Sequence, residues 1–211
     1  LLSGAARLAR AVDQGFDTDQ VYFHGTSKDF DGFQRSQFGS LTDAKSAKKA
    51  IWLTDDPTTA TAYANFSARS GPVKKLIDEA NEAEKARDFD TYDAKIREAE
   101  ELEDFLDKNR EAGQNVIPTF VKDDLLVVDM NGRSFDDFGV SDEINEFLDS
   151  AKRDGRAGVK FLNLDDAVGL YNRPANHVAI FKTNDVRSVN AEFDSEKTQS
   201  SNLLASPAPA A

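Results

Sequence analysis

The sequence contains no cysteine, only two histidines and a single tryptophan among its 211 residues. Without cysteine the chain forms no disulfide, offers no thiolate nucleophile and builds no cysteine-based zinc site. Two histidines are too few for a histidine-rich metal centre, so we expect no metal cofactor. No run approaches the roughly 20 apolar residues that span a bilayer, and we expect no membrane-spanning segment.

Positive charge is also scarce. Acidic residues outnumber basic ones by 38 to 26, which gives a formal net charge of −12. A surface of this sign repels nucleic acid and anionic lipid, and no lysine- or arginine-rich run offsets it. We therefore expect neither nucleic acid nor a membrane as a partner.

The chain begins without methionine, since its one methionine is Met130, and we expect it to be a fragment of a longer protein. An apolar content of 39% is enough for one ordinary core. The predicted organisation is one domain over residues 1–195. A Ser-, Ala- and Pro-rich tail over residues 196–211 is expected to be disordered.

Short β-type runs alternate irregularly with helical patterns. A helix is predicted over residues 2–12 and another over residues 144–151, while Asp56 followed by Pro57 is typical of a helix start. Residues 27–49, polar and punctuated by phenylalanine, are predicted to form a loop over a groove. The β-type runs are residues 21–23, 51–53, 116–120, 125–128, 159–162 and 177–181. This order predicts an α+β fold.

Residues 73–112 differ from the rest, with 14 acidic and 8 basic side chains. Apolar residues recur there at helical spacing, and a break around Asp88 divides the pattern in two. We predict an inserted helical hairpin whose second arm is capped by Asp90 or Thr91. It is interpreted as a solvated appendage or a partner-docking arm.

The first candidate motif is His24-Gly25-Thr26, directly after a predicted strand. Glycine allows another molecule to approach the backbone, whose N–H and C=O suit a planar carboxamide. Histidine suits a ribose hydroxyl, and threonine offers a further hydroxyl. A single histidine at a strand end is, however, more often structural than functional.

The second candidate motif joins Trp52 to Tyr63 through the helix start at Asp56-Pro57. Tyr63 is flanked by alanines, so its ring presents an uncluttered face for stacking on a flat heterocycle. The alternative is an ordinary core tyrosine on an amphipathic helix.

Four stretches, taken in this order, carry a family resemblance. They are VYFHGTSKDFDGF, AIWLTDDPTTATAYA, VIPTFVKDDLLVVD and NHVAIFKTNDVRSVNAEFD. Together they resemble ADP-ribosyltransferases of the diphtheria-toxin and poly-ADP-ribose polymerase type, and look closest to those in phage polyvalent proteins. The resemblance covers nearly the whole chain apart from the charged hairpin.

The resemblance implies a role for each matching position. His24 would bind a ribose hydroxyl of NAD, Gly25 would clamp the nicotinamide amide through its backbone, and Thr26 would add a hydroxyl contact. Trp52 would line the nicotinamide pocket, and Tyr63, eleven residues later, would stack on the ring.

Two positions depart from the family pattern. Ala60 stands where a serine often holds the amide, and His177, preceded by Asn176, stands where the late strand usually begins with Glu or Gln. A carboxylate there would stabilise the positive charge that develops on the ribose as nicotinamide leaves, and neutral histidine supplies none. We interpret His177 and Asn176 as contacting the ribose or the acceptor.

Further charged residues are candidates for the same site. Four acidic groups are considered as substitutes for the missing carboxylate: Asp55, Asp56, Asp165 and Asp166. Asp55-Asp56 is also explained as a helix cap. Arg35, in the loop after the first motif, suits the NAD pyrophosphate, although an exposed loop arginine is the simpler interpretation.

The resemblance implies a split, mostly antiparallel β-sandwich with an NAD cleft between its halves. The expected activity is transfer of one ADP-ribose from NAD, a co-substrate, to a host protein or other macromolecule, with release of nicotinamide. The expected setting is bacterial cytoplasm, reached from a phage particle. The alternatives are an NAD glycohydrolase, an inert NAD-binding or structural module of a virion protein, and an interaction protein working through the charged hairpin.

Overall fold

The computed structural model describes residues 3–27, 30–42, 44–108, 115–166 and 174–204, without the side chains of residues 66–72, 103 and 106–108. The helices are α1 (Gly4–Asp13), α2 (Pro57–Lys85), α3 (Phe89–Lys108) and α4 (Val140–Arg153). The strands are β1 (Phe16–Thr26), β2 (Ile51–Thr54), β3 (Asn115–Lys122), β4 (Leu125–Asp129), β5 (Gly158–Leu164), β6 (Ala175–Ile180) and β7 (Val186–Ser188).

The strands form one seven-stranded sheet in the order β4-β5-β6-β2-β1-β3-β7. Only β4 and β5 pair in parallel among the described strands, so the predicted α+β class and the mostly antiparallel pairing are confirmed. The pairing is continuous, which differs from the expected pair of separate sheets. Strands β1 and β2 are paired over a short length, however, since a single residue pair, Phe23 with Thr54, joins them.

Each face of the sheet has its own cover. Helix α4 packs on one face over β5, burying Val140, Ile144, Leu148 and Ala151 at helical spacing. The opposite face is covered by the phenylalanine-rich loop after β1 and by the C-terminal segment, which contribute to a second cluster. Strand β1 is longer than the predicted residues 21–23. The prediction missed the first half of the strand because residues 17–20 are polar and show no β-type run.

Helix α2 begins as predicted, with the Asp56 carboxylate accepting a hydrogen bond from Thr58 N (3.1 Å) and Pro57 in the first turn. It continues without a break to Lys85, so the first arm of the charged hairpin is the second half of α2, and the second arm is α3. None of the described helices is long and apolar enough to cross a membrane.

The two arms of the charged hairpin meet on small residues, with Ala80, Ala83 and Ala99 buried between them. The ion pair between Lys95 Nζ and Glu79 Oε2 (2.9 Å) joins the arms at the surface. Asp88, and not the predicted Asp90 or Thr91, caps α3. Its carboxylate accepts hydrogen bonds from the backbone N and the hydroxyl of Thr91.

The expectation of a disordered tail from residue 196 is wrong for residues 196–204, and residues 205–211 lie outside the described part of the chain. Leu203 is buried in the second core cluster, and its N–H donates to Asp31 O (2.7 Å). The fully buried Arg187 guanidinium donates to Ser200 O (2.6 Å) and Lys197 O (3.4 Å). The polar composition of the segment did not predict this docking, because the donors belong to an arginine 10 residues before Lys197 and 13 residues before Ser200.

We expect Arg187→Met to release the C-terminal segment. Methionine keeps much of the side-chain volume but leaves the partly buried carbonyls of Lys197 and Ser200 without their donor, at a cost of about 2 kcal/mol in the free energy of unfolding. Urea denaturation measures this change, and limited proteolysis detects the released segment. Arg153→Met, at an exposed position of α4, is the control. Equal denaturation midpoints for both variants would contradict the assignment.

Candidate functional site

The gap between β1 and β2 lies beside the first candidate motif. Pairing of these strands stops after Phe23 and Thr54, and beyond it the His24 imidazole occupies the gap, with Nδ1 3.1 Å from Trp52 O. Successive residues of an antiparallel strand direct their backbone groups to opposite neighbours. Either His24 or Gly25 therefore directs its N–H and C=O toward this gap.

The His24 ring is held by aromatic neighbours. It packs edge-on against Phe33 (4.9 Å between centroids) and Phe30 (6.0 Å). Burial lowers the pKa of His24, so the ring is neutral near pH 7. Because a carbonyl only accepts, Nδ1 carries the proton that bonds Trp52 O, and Nε2 is the hydrogen-bond acceptor. Such an acceptor suits a sugar hydroxyl.

Gly25 lies under helix α2. A Cβ atom at Gly25 would meet Ala60 O at 1.8 Å and Ala64 N at 2.8 Å. The close approach of the helix backbone therefore explains the glycine without a ligand, and it explains why Ala60 and Ala64 are small and buried. Thr26 is buried as well, so its hydroxyl is not presented on an open surface.

Trp52 faces the core on the α4 side of the sheet. Its ring stacks on Phe161 (5.6 Å between centroids, 11° between planes) and meets Phe135 edge-on at 5.7 Å. Its Nε1 donates to Ser46 O at 3.2 Å. His24 packs with Phe33 on the opposite face, so the structure does not bring the Trp52 and His24 side chains together.

Tyr63, Asp166 and His177 meet on the α4 side of the sheet, and we call them the Asp166 cluster. The Tyr63 hydroxyl donates to Asp166 Oδ2 (2.5 Å), and His177 Nδ1 lies 3.7 Å from the same oxygen. Helix α2 positions Tyr63, and the pairing of β6 with β2 and β5 places His177 between Thr54 and Phe161. Tyr63 and His177 in β6 are thus close together.

Burial decides the protonation of the Asp166 cluster. Burial, with smaller contributions from the nearby charges of Asp165 and Asp136, raises the pKa of Asp166 to about 7. The hydrogen bond from Tyr63 acts in the opposite direction and lowers it. Burial lowers the pKa of His177 to about 4, although Asp55 and the Leu164 carbonyl favour its charged form. At neutral pH His177 is therefore neutral, and Asp166 titrates.

Asn176 is occupied by a structural contact. Its backbone N donates to Asp55 Oδ1 (3.0 Å), its Nδ2 donates to Asp55 Oδ2 (2.6 Å), and its Oδ1 accepts from Asn163 N (3.2 Å). Asp55 N in turn donates to Asn176 O at 2.9 Å. These bonds tie the end of β2 to the start of β6, so the Asn176 amide has a structural role, and its predicted contact with a ribose or an acceptor stays a prediction.

Arg35 is not brought to the Asp166 cluster. It lies in the short helical turn Arg35–Gln37, is exposed, and places its guanidinium over the Phe38 ring (5.9 Å). In the sequence, Asp165-Asp166 before Ala167 and Val168 also suits a helix start, and those two residues lie outside the described part of the chain. Sequence reasoning named Asp166 among four acids but missed its bond to Tyr63, since no local spacing relates positions 103 residues apart.

We expect Gly25→Ala to destabilise the fold strongly. The added methyl group meets backbone atoms of α2, which cannot rotate away, so the helix must shift at a cost of about 1–3 kcal/mol or more. Gly4→Ala, where a Cβ meets nothing within 4 Å, is the matched control. Thermal unfolding measures both, and a Gly25→Ala variant as stable as the control would disprove the packing role.

The Asp166 cluster also predicts a pH dependence of stability. Between about pH 4 and 6.5 the folded protein binds one proton, on Asp166, and the unfolded chain also binds one, on His177. Because the folded and unfolded states bind equal numbers of protons, these two groups give the wild-type free energy of unfolding no pH dependence in this range. Asp166→Asn leaves the His177 contribution, and stability then falls as the pH drops from 6.5 to 4. His177→Gln leaves the Asp166 contribution, and stability then falls as the pH rises from about 4 to 7.

Urea midpoints of the three proteins across this pH range test the prediction. Parallel profiles for the wild type and both variants would show that the two groups are not buried together.

No family model matches the chain, and comparisons with curated proteins and with solved structures find no match either. The resemblance to ADP-ribosyltransferases therefore depends on the motifs quoted above.

Proposed function

We propose that the chain is an NAD-dependent mono-ADP-ribosyltransferase that acts on a macromolecular acceptor. The observation that carries the proposal is the meeting of Tyr63 with Asp166 and His177 beside the gap that holds the His24 imidazole. Tyr63 and His177 belong to two separate motifs of the resemblance.

The proposed site for nicotinamide riboside lies at the edge of the gap, next to the His24 imidazole. The β1 backbone directed toward β2 supplies one donor and one acceptor, which match the two polar groups of a carboxamide. His24 Nε2 accepts a hydrogen bond from a ribose hydroxyl, and the Tyr63 ring provides a stacking face. Trp52 supports this site from the core rather than by touching the ring.

The acceptor we propose is a host protein in bacterial cytoplasm, reached from a phage particle, and its support is the motif resemblance. The charged hairpin is the proposed docking arm, because it extends from the same helix that carries Tyr63 and exposes Ile77 and Phe89. A net charge of −12 favours a basic partner surface over nucleic acid.

A non-catalytic NAD-binding or structural module is the second candidate. Two observations favour it: helix α2 covers the Cβ side of Gly25, and Trp52 is committed to the core. Both residues are explained by packing alone, and a neutral His177 adds no charge to the site.

Adenylate-labelled NAD incubated with the purified chain and bacterial extract separates the candidates. Label on protein supports transfer, free ADP-ribose with no labelled protein supports an NAD glycohydrolase, and unchanged NAD supports the non-catalytic module. Heat-denatured chain controls for enzymes of the extract.

We expect the Tyr63 ring, rather than its hydroxyl, to determine NAD affinity. Tyr63→Phe keeps the stacking face and should bind NAD within about twofold of the wild type, whereas Tyr63→Leu should bind about tenfold more weakly, since an aromatic pair contributes about 0.5–1.5 kcal/mol. Calorimetric titration measures both. Equal affinities for the two variants would contradict stacking on Tyr63.

A further inference from the structure

Four carboxylates were candidates for the charge that His177 lacks, and the structure separates them. Both oxygens of Asp55 accept bonds from Asn176. Asp56 caps α2 through Thr58 N and also accepts from the Thr59 hydroxyl (2.9 Å). These two groups hold the ends of β2, β6 and α2 in place.

The remaining pair follows β5. The Asp165 backbone bonds to Arg133 O and Phe135 N, which attaches it to the turn before α4. Asp166 is the next residue, and its Oδ2 lies within 2.5 Å of the Tyr63 hydroxyl and 3.7 Å of His177 Nδ1. Of the four, Asp166 is the one whose carboxylate contacts the proposed stacking residue and the start of β6.

We propose that Asp166 is a catalytic residue that supplies the negative charge facing the nicotinamide ribose, while His177 positions that carboxylate. This inference rests on the proposed function. It assigns the charge to the loop after β5 instead of to position 177 in β6.

The reaction balances without another reagent. The bond between ribose C1′ and the nicotinamide nitrogen breaks, and its electron pair neutralises the pyridinium ring. The Asp166 carboxylate stabilises the positive charge left on the ribose. A nucleophilic atom of the acceptor then bonds to C1′, and the proton it loses passes to Asp166 and on to water. The products are nicotinamide, the ADP-ribosylated acceptor and one proton.

The neighbours of Asp166 make its charge depend on pH. The titratable groups that face it are Tyr63 on α2, His177 on β6, Asp165 beside it and Asp136 before α4. Tyr63 and His177 are neutral near pH 7, and the two aspartates oppose ionisation of Asp166. The active, ionised form therefore accumulates as the pH rises through about 7.

Nicotinamide release and NAD affinity are measured on the wild type, Asp166→Asn, Asp165→Asn and the matched control Asp154→Asn, at an exposed position after α4. At pH 8 we expect Asp166→Asn to release nicotinamide about 10²–10³-fold more slowly, with NAD affinity within about twofold, whereas Asp154→Asn should keep the wild-type rate. Asp165→Asn should shift the rate profile to lower pH because a charge that opposes Asp166 is gone. Circular dichroism checks the fold of each variant.

The wild-type pH profile tests the inference without any variant, because its rate should rise through about pH 7. An Asp166→Asn variant that keeps its rate, or a flat wild-type profile, would overturn the role of Asp166 and leave the proposed function standing. A wild type that binds NAD but releases no nicotinamide would overturn both and leave the non-catalytic module.

Discussion

Helix α2 lies directly on the backbone of Gly25, and the position of the candidate site depends on that approach. The contact is made by Ala60 O and Ala64 N, so the separation is set by main-chain atoms and not by adaptable side chains. Tyr63 lies between these two residues along the helix, and its ring is therefore placed as firmly as the helix itself. Its hydroxyl then reaches Asp166 on the loop after β5.

The second constraint is the burial of two ionisable groups next to each other. An unpaired charge on a buried side chain is costly in free energy. His177 is therefore neutral, and Asp166 carries a proton below about pH 7. The Asp166 cluster therefore contains a carboxyl group that ionises near neutral pH. A glutamate at position 177 would instead put a second acid beside Asp166, and two adjacent carboxylates would resist ionising together.

The sequence predicted those parts of the fold that depend on interactions between residues near each other in the chain. The helix start at Asp56-Pro57 and the β-type runs were recognisable because capping and side-chain preference act within a few residues. The first half of β1 and the C-terminal segment were not, because polar strands and docked tails depend on distant partners such as Arg187. The site followed the same division. Tyr63 and His177 were named from motifs, whereas only the fold selects Asp166 from four acids.

The gap between β1 and β2 lies between the two parts of the candidate site, which are His24 and the Asp166 cluster. His24 packs on the face of the sheet that carries Phe33, while the Asp166 cluster lies on the α4 face. A molecule resting on either face would reach only one of them. Under the proposed function, the ligand would have to contact both faces at the edge of the gap, next to the single described β1–β2 residue pair, Phe23 with Thr54.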